Sequence, residues 1–425
     1  MNKRWPAAIA AFGLAWYASE SLRHRRETGH GYELHGDALD VGEEEFLAAC
    51  EALTAAPVSY GDEVELLING DEIFPAFLDT IRSAERSVCL ETYVYWKGDI
   101  AHDVARCLSE KAREGVEVNV LLDAVGSFPM DRTLIDDMND AGVHVARFRP
   151  PKPYAVRRLN NRTHRKLLIA DGRVGLIGGV GIAEEWTGNA EDPDHWRDTH
   201  VRVTGPVVRG LQGAFLEHWL EATGKVLVGP DYLPELERHG DAGGPMQLVR
   251  SSAGVGDTNV EALYFLALAC AHESIDLTAA YFAPRPAFVK ALCDAAERGV
   301  AVRVLVPGEH IDKEFVRIAG RAVYEQLLEC GVKVYEYGTT MLHAKTLVID
   351  GIWASVGSVN FDNRSFQLHD EATLCVQSRA FAERLTRQFE RDLEASDEID
   401  GERWRDRPLH HRARERAMVL ARREL

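Results

Sequence analysis

Two histidines, two lysines and two aspartates recur in this chain at one spacing. His164-Arg-Lys166-Leu-Leu-Ile-Ala-Asp171 is matched by His343-Ala-Lys345-Thr-Leu-Val-Ile-Asp350. An imidazole can attack an electrophile or carry a proton near neutral pH. An ammonium beside it can neutralise anionic charge. The middle of each copy is aliphatic enough for a buried strand, and the Asp-Gly that ends it (Asp171-Gly172, Asp350-Gly351) signals a tight hairpin turn. Residues two apart on a strand share a face, so His and Lys emerge together. The aspartate lies an odd number of positions from the histidine, so it faces away or lies past the strand end. His and Lys therefore read as chemistry, and Asp as support. A lone histidine on a strand is an ordinary core residue. Two copies, each backed by a second apolar run and a Gly-rich turn (Gly178-Gly179, Gly357-Ser358), point instead to duplicated units packed together.

The elements that must position these residues repeat in the same order. In the first half, strands are expected at Val64–Ile68, Ser87–Trp96, Val116–Asp123 and Val143–Phe148, with helices at Glu72–Ala84, Ile100–Arg113 and Arg132–Asp140. In the second, helices are expected at Asn259–Ala271, Pro286–Arg298 and Gly320–Glu329, and strands at Ser274–Phe282, Val300–Val306 and Gly331–Tyr337. Alternating strand and helix imply an α/β fold of two homologous units, each a mixed sheet flanked by helices. The boundaries read as an N-terminal segment 1–60, a first unit 61–228, a Gly- and Pro-rich linker 229–245, a second unit 246–400 and a basic tail 401–425.

The balance of 67 acidic against 49 basic side chains, net −18, argues against a nucleic-acid binder, although a local basic cleft is compatible with it. Seven cysteines lie singly (Cys50, Cys89, Cys107, Cys270, Cys293, Cys330, Cys375), which suggests reduced thiols and a cytoplasmic catalytic body. No zinc pattern is present. Near the N-terminus an apolar run, Trp5 to Ala18, is followed by Arg23-His24-Arg25-Arg26. It is short for a spanning helix; an interfacial anchor, a cleaved signal and a packed helix all fit it. From Arg403 the tail carries eight Arg against three acidic residues, compatible with a solvated helix or a membrane-facing one.

The paired H-x-K-x4-D motifs with their Gly-rich turns resemble the phospholipase D superfamily over nearly all of residues 60–400. Finer features resemble bacterial cardiolipin synthases within it: Asn161-Arg-Thr-His164, Trp196-Arg-Asp-Thr-His-Val-Arg-Val-Thr-Gly-Pro206, Leu342-His-Ala-Lys345 and Gly357-Ser-Val-Asn360-Phe-Asp-Asn-Arg364-Ser365. The resemblance implies one active site where the two units meet, with no metal and no cofactor. It implies a catalytic set of His164, Lys166, Asp171, His343, Lys345 and Asp350, and the activity of a phosphatidyltransferase working through a phosphohistidine. Phosphatidylglycerol or another phospholipid would be the substrate, and the cytoplasmic face of an anionic bacterial inner membrane the location. A phospholipase D using water, a nuclease of the superfamily and a catalytically idle membrane scaffold are the other readings.

Two histidines would supply nucleophile and acid, and two lysines would meet the phosphoryl charge. Ser358 and Asn360 are expected to bind substrate oxygens. The resemblance favours His164 as nucleophile. Asp198 is expected to orient His164, and Glu371 to orient His343. Arg157, Arg158, Arg162 and Arg165 could guide an anionic headgroup or be solvated loop charges. One departure stands out: Gly179-Val180-Gly181 replaces the usual Gly-x-Asn behind the first motif.

Overall fold

In a computed structural model of the chain, residues 31–151, 160–240, 243–253, 257–408 and 415 are described. The apolar N-terminal run, Arg157 and Arg158 and most of the basic tail lie outside them. The described residues from Asp37 onward form one compact unit. Its first sheet contains β1 (Glu63–Ile68), β2 (Ser87–Thr92), β3 (Glu117–Asp123), β4 (His144–Phe148), β6 (Leu167–Ala170), β7 (Val174–Gly178) and β8 (Thr199–Thr204). Its second contains β9 (Met246–Arg250), β10 (Ser274–Ala279), β11 (Ala301–Pro307), β12 (Lys333–Tyr337), β13 (Lys345–Ile349), β14 (Trp353–Gly357), β16 (Ala372–Gln377) and β17 (Ser396–Glu398). A separate two-stranded sheet joins β5 (Arg162–Thr163) to β15 (His369–Asp370).

The first sheet runs β1-β8-β7-β6-β2-β3-β4 and the second β9-β16-β14-β13-β10-β11-β12, so the strand order is duplicated element for element. In each, three strands are parallel (β2, β3, β4; β10, β11, β12) and the rest pair antiparallel. The addition is β17, which closes the β12 edge. The motif strands β6 and β13 lie mid-sheet and are wholly buried, which is why they read as unbroken aliphatic runs.

Helices Asn69–Ser83, Asp99–Arg113 and Arg132–Asp140 cover one face of the first sheet. Its other face shares a core with the second sheet. Leu167, Ile169, Ile177 and Val201 there pack in one cluster with Val348, Val356 and Leu374, along with Phe215 and Phe381 from helices Val208–Thr223 and Arg379–Glu394. Continuous apolar burial between the sheets holds the two motifs in register.

Three details depart from expectation. The helix expected over 320–329 is two, Glu314–Arg321 and Tyr324–Glu329. A Cβ on Gly320 would lie 2.1 Å from the Phe282 carbonyl oxygen, so the chain passes there in close contact. Cys293 and Cys330, whose Cα atoms are 5.4 Å apart, form a disulfide, while the other five cysteines are free and buried. Singly scattered cysteines reveal no pairing until the fold brings the helix Pro286–Glu297 against the C-terminal end of Tyr324–Glu329. At the start of the tail, Trp404 is buried against Tyr324 and flanked by the guanidinium groups of Arg321 and Arg407.

Both Asp-Gly pairs form the expected hairpin turns, with Asp171 and Gly172 at φ 55° and 60° and Asp350 and Gly351 at 53° and 60°. Asp171 accepts hydrogen bonds from the backbone N–H groups of Glu85, Arg86 and Ser87. Asp350 accepts from those of His272, Glu273 and Ser274. Each aspartate thus fixes the chain entering β2 or β10, at the end of the motif strand away from its histidine. Their inclusion in the catalytic set is corrected on that ground: neither touches the reacting centre. Asp350→Ala is expected to cost about 2–3 kcal/mol of stability by orphaning three donors. Denaturant unfolding would measure it, with the activity per folded molecule largely kept.

Candidate active site

The backbone carries each motif histidine into the centre beside a strand of the other unit. β5 pairs in parallel with β15, and the His164 N–H donates to the Asp370 carbonyl at 2.8 Å. On the other side Arg197 bridges Leu342 in parallel, and the His343 N–H donates to the Arg197 carbonyl at 2.7 Å. The residue following each such pairing is the carboxylate of the opposite unit. His164 Nδ1 therefore lies 3.0 Å from both oxygens of Glu371, and His343 Nδ1 lies 2.7 Å from Asp198 Oδ2. The expected pairing within each unit is corrected: Glu371 orients His164, and Asp198 orients His343.

Each carboxylate is itself held. Glu371 accepts from the hydroxyls of Ser358 and Ser365. Asp198 accepts from the Trp186 indole at 2.9 Å and the Thr199 N–H at 2.7 Å. With Nδ1–H donated to a carboxylate, each neutral imidazole presents the Nε2 lone pair. Ser358, expected to bind substrate, spends its hydroxyl on Glu371 and also accepts from the Ala372 N–H. Asn360 is buried and remains a candidate for that role through its Nδ2 donor, since its Oδ1 can only accept.

Lys166 and Lys345 fold back so that each Nζ donates to the carbonyl of its own motif histidine. Burial, then each other's charge in the case of Lys166, pushes them down to about 7 and about 8. Burial and Lys166 hold His164 well below the ordinary imidazole value, and burial and Lys345 bring His343 down to about 4. Burial pushes Glu371 up to about 8. Asp198 is lowered because the His343 and Lys345 charges outweigh its burial. The free centre is thus short of anionic charge, and a phosphodiester would restore both ammonium groups.

The pH dependence follows. As pH rises through about 7 to 8 the lysines lose their protons in the free protein while Glu371 gains its charge, so kcat/KM should pass through a maximum within that range and fall above it. Bound phosphate raises both lysine values, so the alkaline limb of kcat should lie at higher pH. A pH–rate profile flat in kcat/KM from 6.5 to 9 would contradict this assignment.

Sequence reasoning assigned no role to the rings around the centre. Trp186, Trp196 and Tyr281 stand 5.1, 5.6 and 6.3 Å from the His343 ring, whereas Tyr93 and His369 stand 5.5 and 5.3 Å from the His164 ring. Val94 and Trp186 together explain the departure behind the first motif. A Cβ on Gly181 would fall 3.1 Å from the Trp186 ring and 2.7 Å from Val94 Cβ, so no Asn fits. A Cβ on Gly179, the position matching Ser358, would lie 2.2 Å from Asp198 Oδ1. Among the arginines, Arg165 is buried and donates to the carbonyls of Ala214, Ser251 and Glu371. Arg162 is buried beside Asp123. Both are internal struts rather than headgroup guides.

A family profile described as "Cardiolipin synthase, PLD-like domain" matches residues 77–195 and 265–393. The cardiolipin synthase of Geobacillus sp. (strain WCH70) is 36% identical over 377 residues, covering 88% of this chain and 75% of that protein. Cardiolipin synthase 2 of Bacillus anthracis is 37% identical over 363 residues, 85% of this chain and 70% of its own. Among solved structures, phosphatidylserine synthase from Haemophilus influenzae Rd KW20 aligns with a TM-score of 0.66 at 13% identity, covering 90% of this chain and 100% of that one. At that identity the likeness concerns the fold alone.

Proposed function

The chain belongs to the cardiolipin synthase family of phospholipase D-like proteins, and from that premise we propose that it moves a phosphatidyl group from one phosphatidylglycerol to the primary hydroxyl of a second, releasing glycerol. The observation that carries this reading is the pair of buried histidines, each held at Nδ1 by a carboxylate and flanked by a lysine ammonium. His164 Nε2 attacks phosphorus, and His343, protonated on Nε2 in the substrate complex where the phosphodiester charge offsets Lys345, gives that proton to the departing glycerol oxygen as the P–O bond breaks. His343 then takes the proton of the acceptor hydroxyl, whose oxygen displaces the histidine and breaks the P–N bond. Lys166 and Lys345 meet the charge on the non-bridging oxygens throughout.

With water as acceptor the same centre is a phospholipase D making phosphatidic acid. Transfer is favoured by Trp186, Trp196 and Tyr281, which wall the base His343 with ring surface. A nuclease fits the net charge of −18 poorly. Incubation with labelled phosphatidylglycerol tests the reading. Cardiolipin and glycerol in equal amounts are expected; phosphatidic acid alone would make it a hydrolase, and no product would make it a scaffold.

The working location is the inner face of an anionic membrane. Among the described residues no helix is long and apolar enough to cross a membrane, so attachment is assigned to the run Trp5 to Ala18 and the arginines after it. Deleting residues 1–26 is expected to move the protein from the membrane pellet to the soluble fraction. A truncated protein that pellets unchanged would place the attachment elsewhere.

A further inference from the structure

A third histidine stands at the centre with no part in the scheme above. His369 lies two residues before Glu371, as Trp196 lies two residues before Asp198. The two rings hold equivalent stations: His369 is 5.3 Å from His164 at 40°, and Trp196 is 5.6 Å from His343 at 37°. One half-site therefore has an indole wall where the other has a polar one. His369 is 9% exposed, and its Nδ1 has no hydrogen-bond partner among the described residues. Its Nε2 faces the Arg364 Nε–H at 3.4 Å. A guanidinium can only donate, so Nε2 keeps its lone pair and the proton resides on Nδ1. The nearest anion to that proton, Glu371 Oε1, is 3.8 Å away, beyond hydrogen-bond reach. A buried donor left unpaired in the free protein costs stability, and a ligand oxygen would relieve it.

We propose that His369 is a phosphoryl-binding residue of this centre, its Nδ1–H donating to a non-bridging oxygen of the group carried by His164. This rests on phosphoryl transfer at His164, as proposed above. Burial and the Arg364 charge hold the imidazole neutral, well below its ordinary value, so it acts as a fixed donor and not as a base. One ligand atom each from His164, His369 and Glu371 lie within 4.8 Å of one another, a grouping that could suit a cation. Arg364 facing Nε2 and the two lysine ammonium groups oppose that use.

The test uses the full chain and orthovanadate, a phosphoryl analogue whose binding requires no turnover. His369→Leu should weaken vanadate binding by about 10- to 100-fold, one hydrogen bond to a charged group. It should lower kcat by a similar factor with KM little changed, because the bond matters most as charge redistributes. His369→Asn, which restores an amide donor, should recover binding to within a few-fold. A Leu variant that binds vanadate like the parent overturns the proposal. So does equal loss in the Leu and Asn variants, which would mark a packing role. Stoichiometric zinc in the parent protein, lost in His369→Leu, would make the residue a ligand and overturn it too. If vanadate binding behaves as expected while phosphatidylglycerol yields no cardiolipin, the proposed function fails and this inference stands.

Discussion

Replacing either His164 or His343 by Ala should lower kcat by about 10⁴- to 10⁶-fold, because attack and leaving-group protonation are divided between them. The two variants should nevertheless fail differently. An activated donor such as a phosphatidyl p-nitrophenyl ester needs no acid for its leaving group. With it, the His343→Ala protein should release one equivalent of nitrophenol and stall as a phosphatidyl-enzyme, since nothing remains to deprotonate the acceptor. Mass spectrometry should place that adduct on His164. The His164→Ala protein should show neither burst nor adduct. An adduct on His343 in the His164→Ala protein, and none in the other, would reverse the assignment. Full turnover by either variant would remove the shared centre altogether.

Much of the scaffold was legible because it is written in local pattern. The buried motif strands read as aliphatic runs, and each Asp-Gly pair takes positive φ at the centre of a tight turn closed by a hydrogen bond from the Arg173 N–H to Ala170 or from the Ile352 N–H to Ile349. The duplicated order of strand and helix announced two sheets of one topology, which the strand orders repeat. What stayed hidden depends on contacts between residues far apart in the chain. Periodicity assigns a strand a face but not a neighbour, so nothing in the spacing indicated that β5 would pair with β15 or Arg197 with Leu342. The carboxylates were therefore matched to the nearer histidine. Ser358 illustrates a second limit. Its position behind the motif is legible, whereas the direction of its hydroxyl depends on where Glu371 arrives from the sheet edge. Trp186 is a third case. Its indole replaces a serine as donor to the carboxylate and, with Val94, closes the space an asparagine would need, so Gly181 is intelligible only once both side chains are placed.

The crossed pairing itself carries the second large expectation. Gln at 371 or Asn at 198 keeps the shape of the carboxylate but can donate its amide to Nδ1, which would move the imidazole proton to Nε2. A carboxylate-to-amide change of this kind is expected to cost about 10²- to 10⁴-fold in kcat. Steady-state rates cannot separate the two pairs, but the activated ester can. Because His164 forms the adduct and is held by Glu371, Glu371→Gln should slow nitrophenol release in the burst. Asp198→Asn should leave the burst near the parent rate and slow adduct breakdown, since it acts on His343. Combination with His343→Ala sharpens this. Adding Glu371→Gln to that variant should slow adduct formation as much as it slows the burst, whereas adding Asp198→Asn should change it little, because the histidine that Asp198 serves is already gone. If Asp198→Asn instead slows adduct formation in the His343→Ala background, and Glu371→Gln does not, the carboxylates serve the histidines of their own units. The Nδ1 contacts described here would then not be those of the working enzyme.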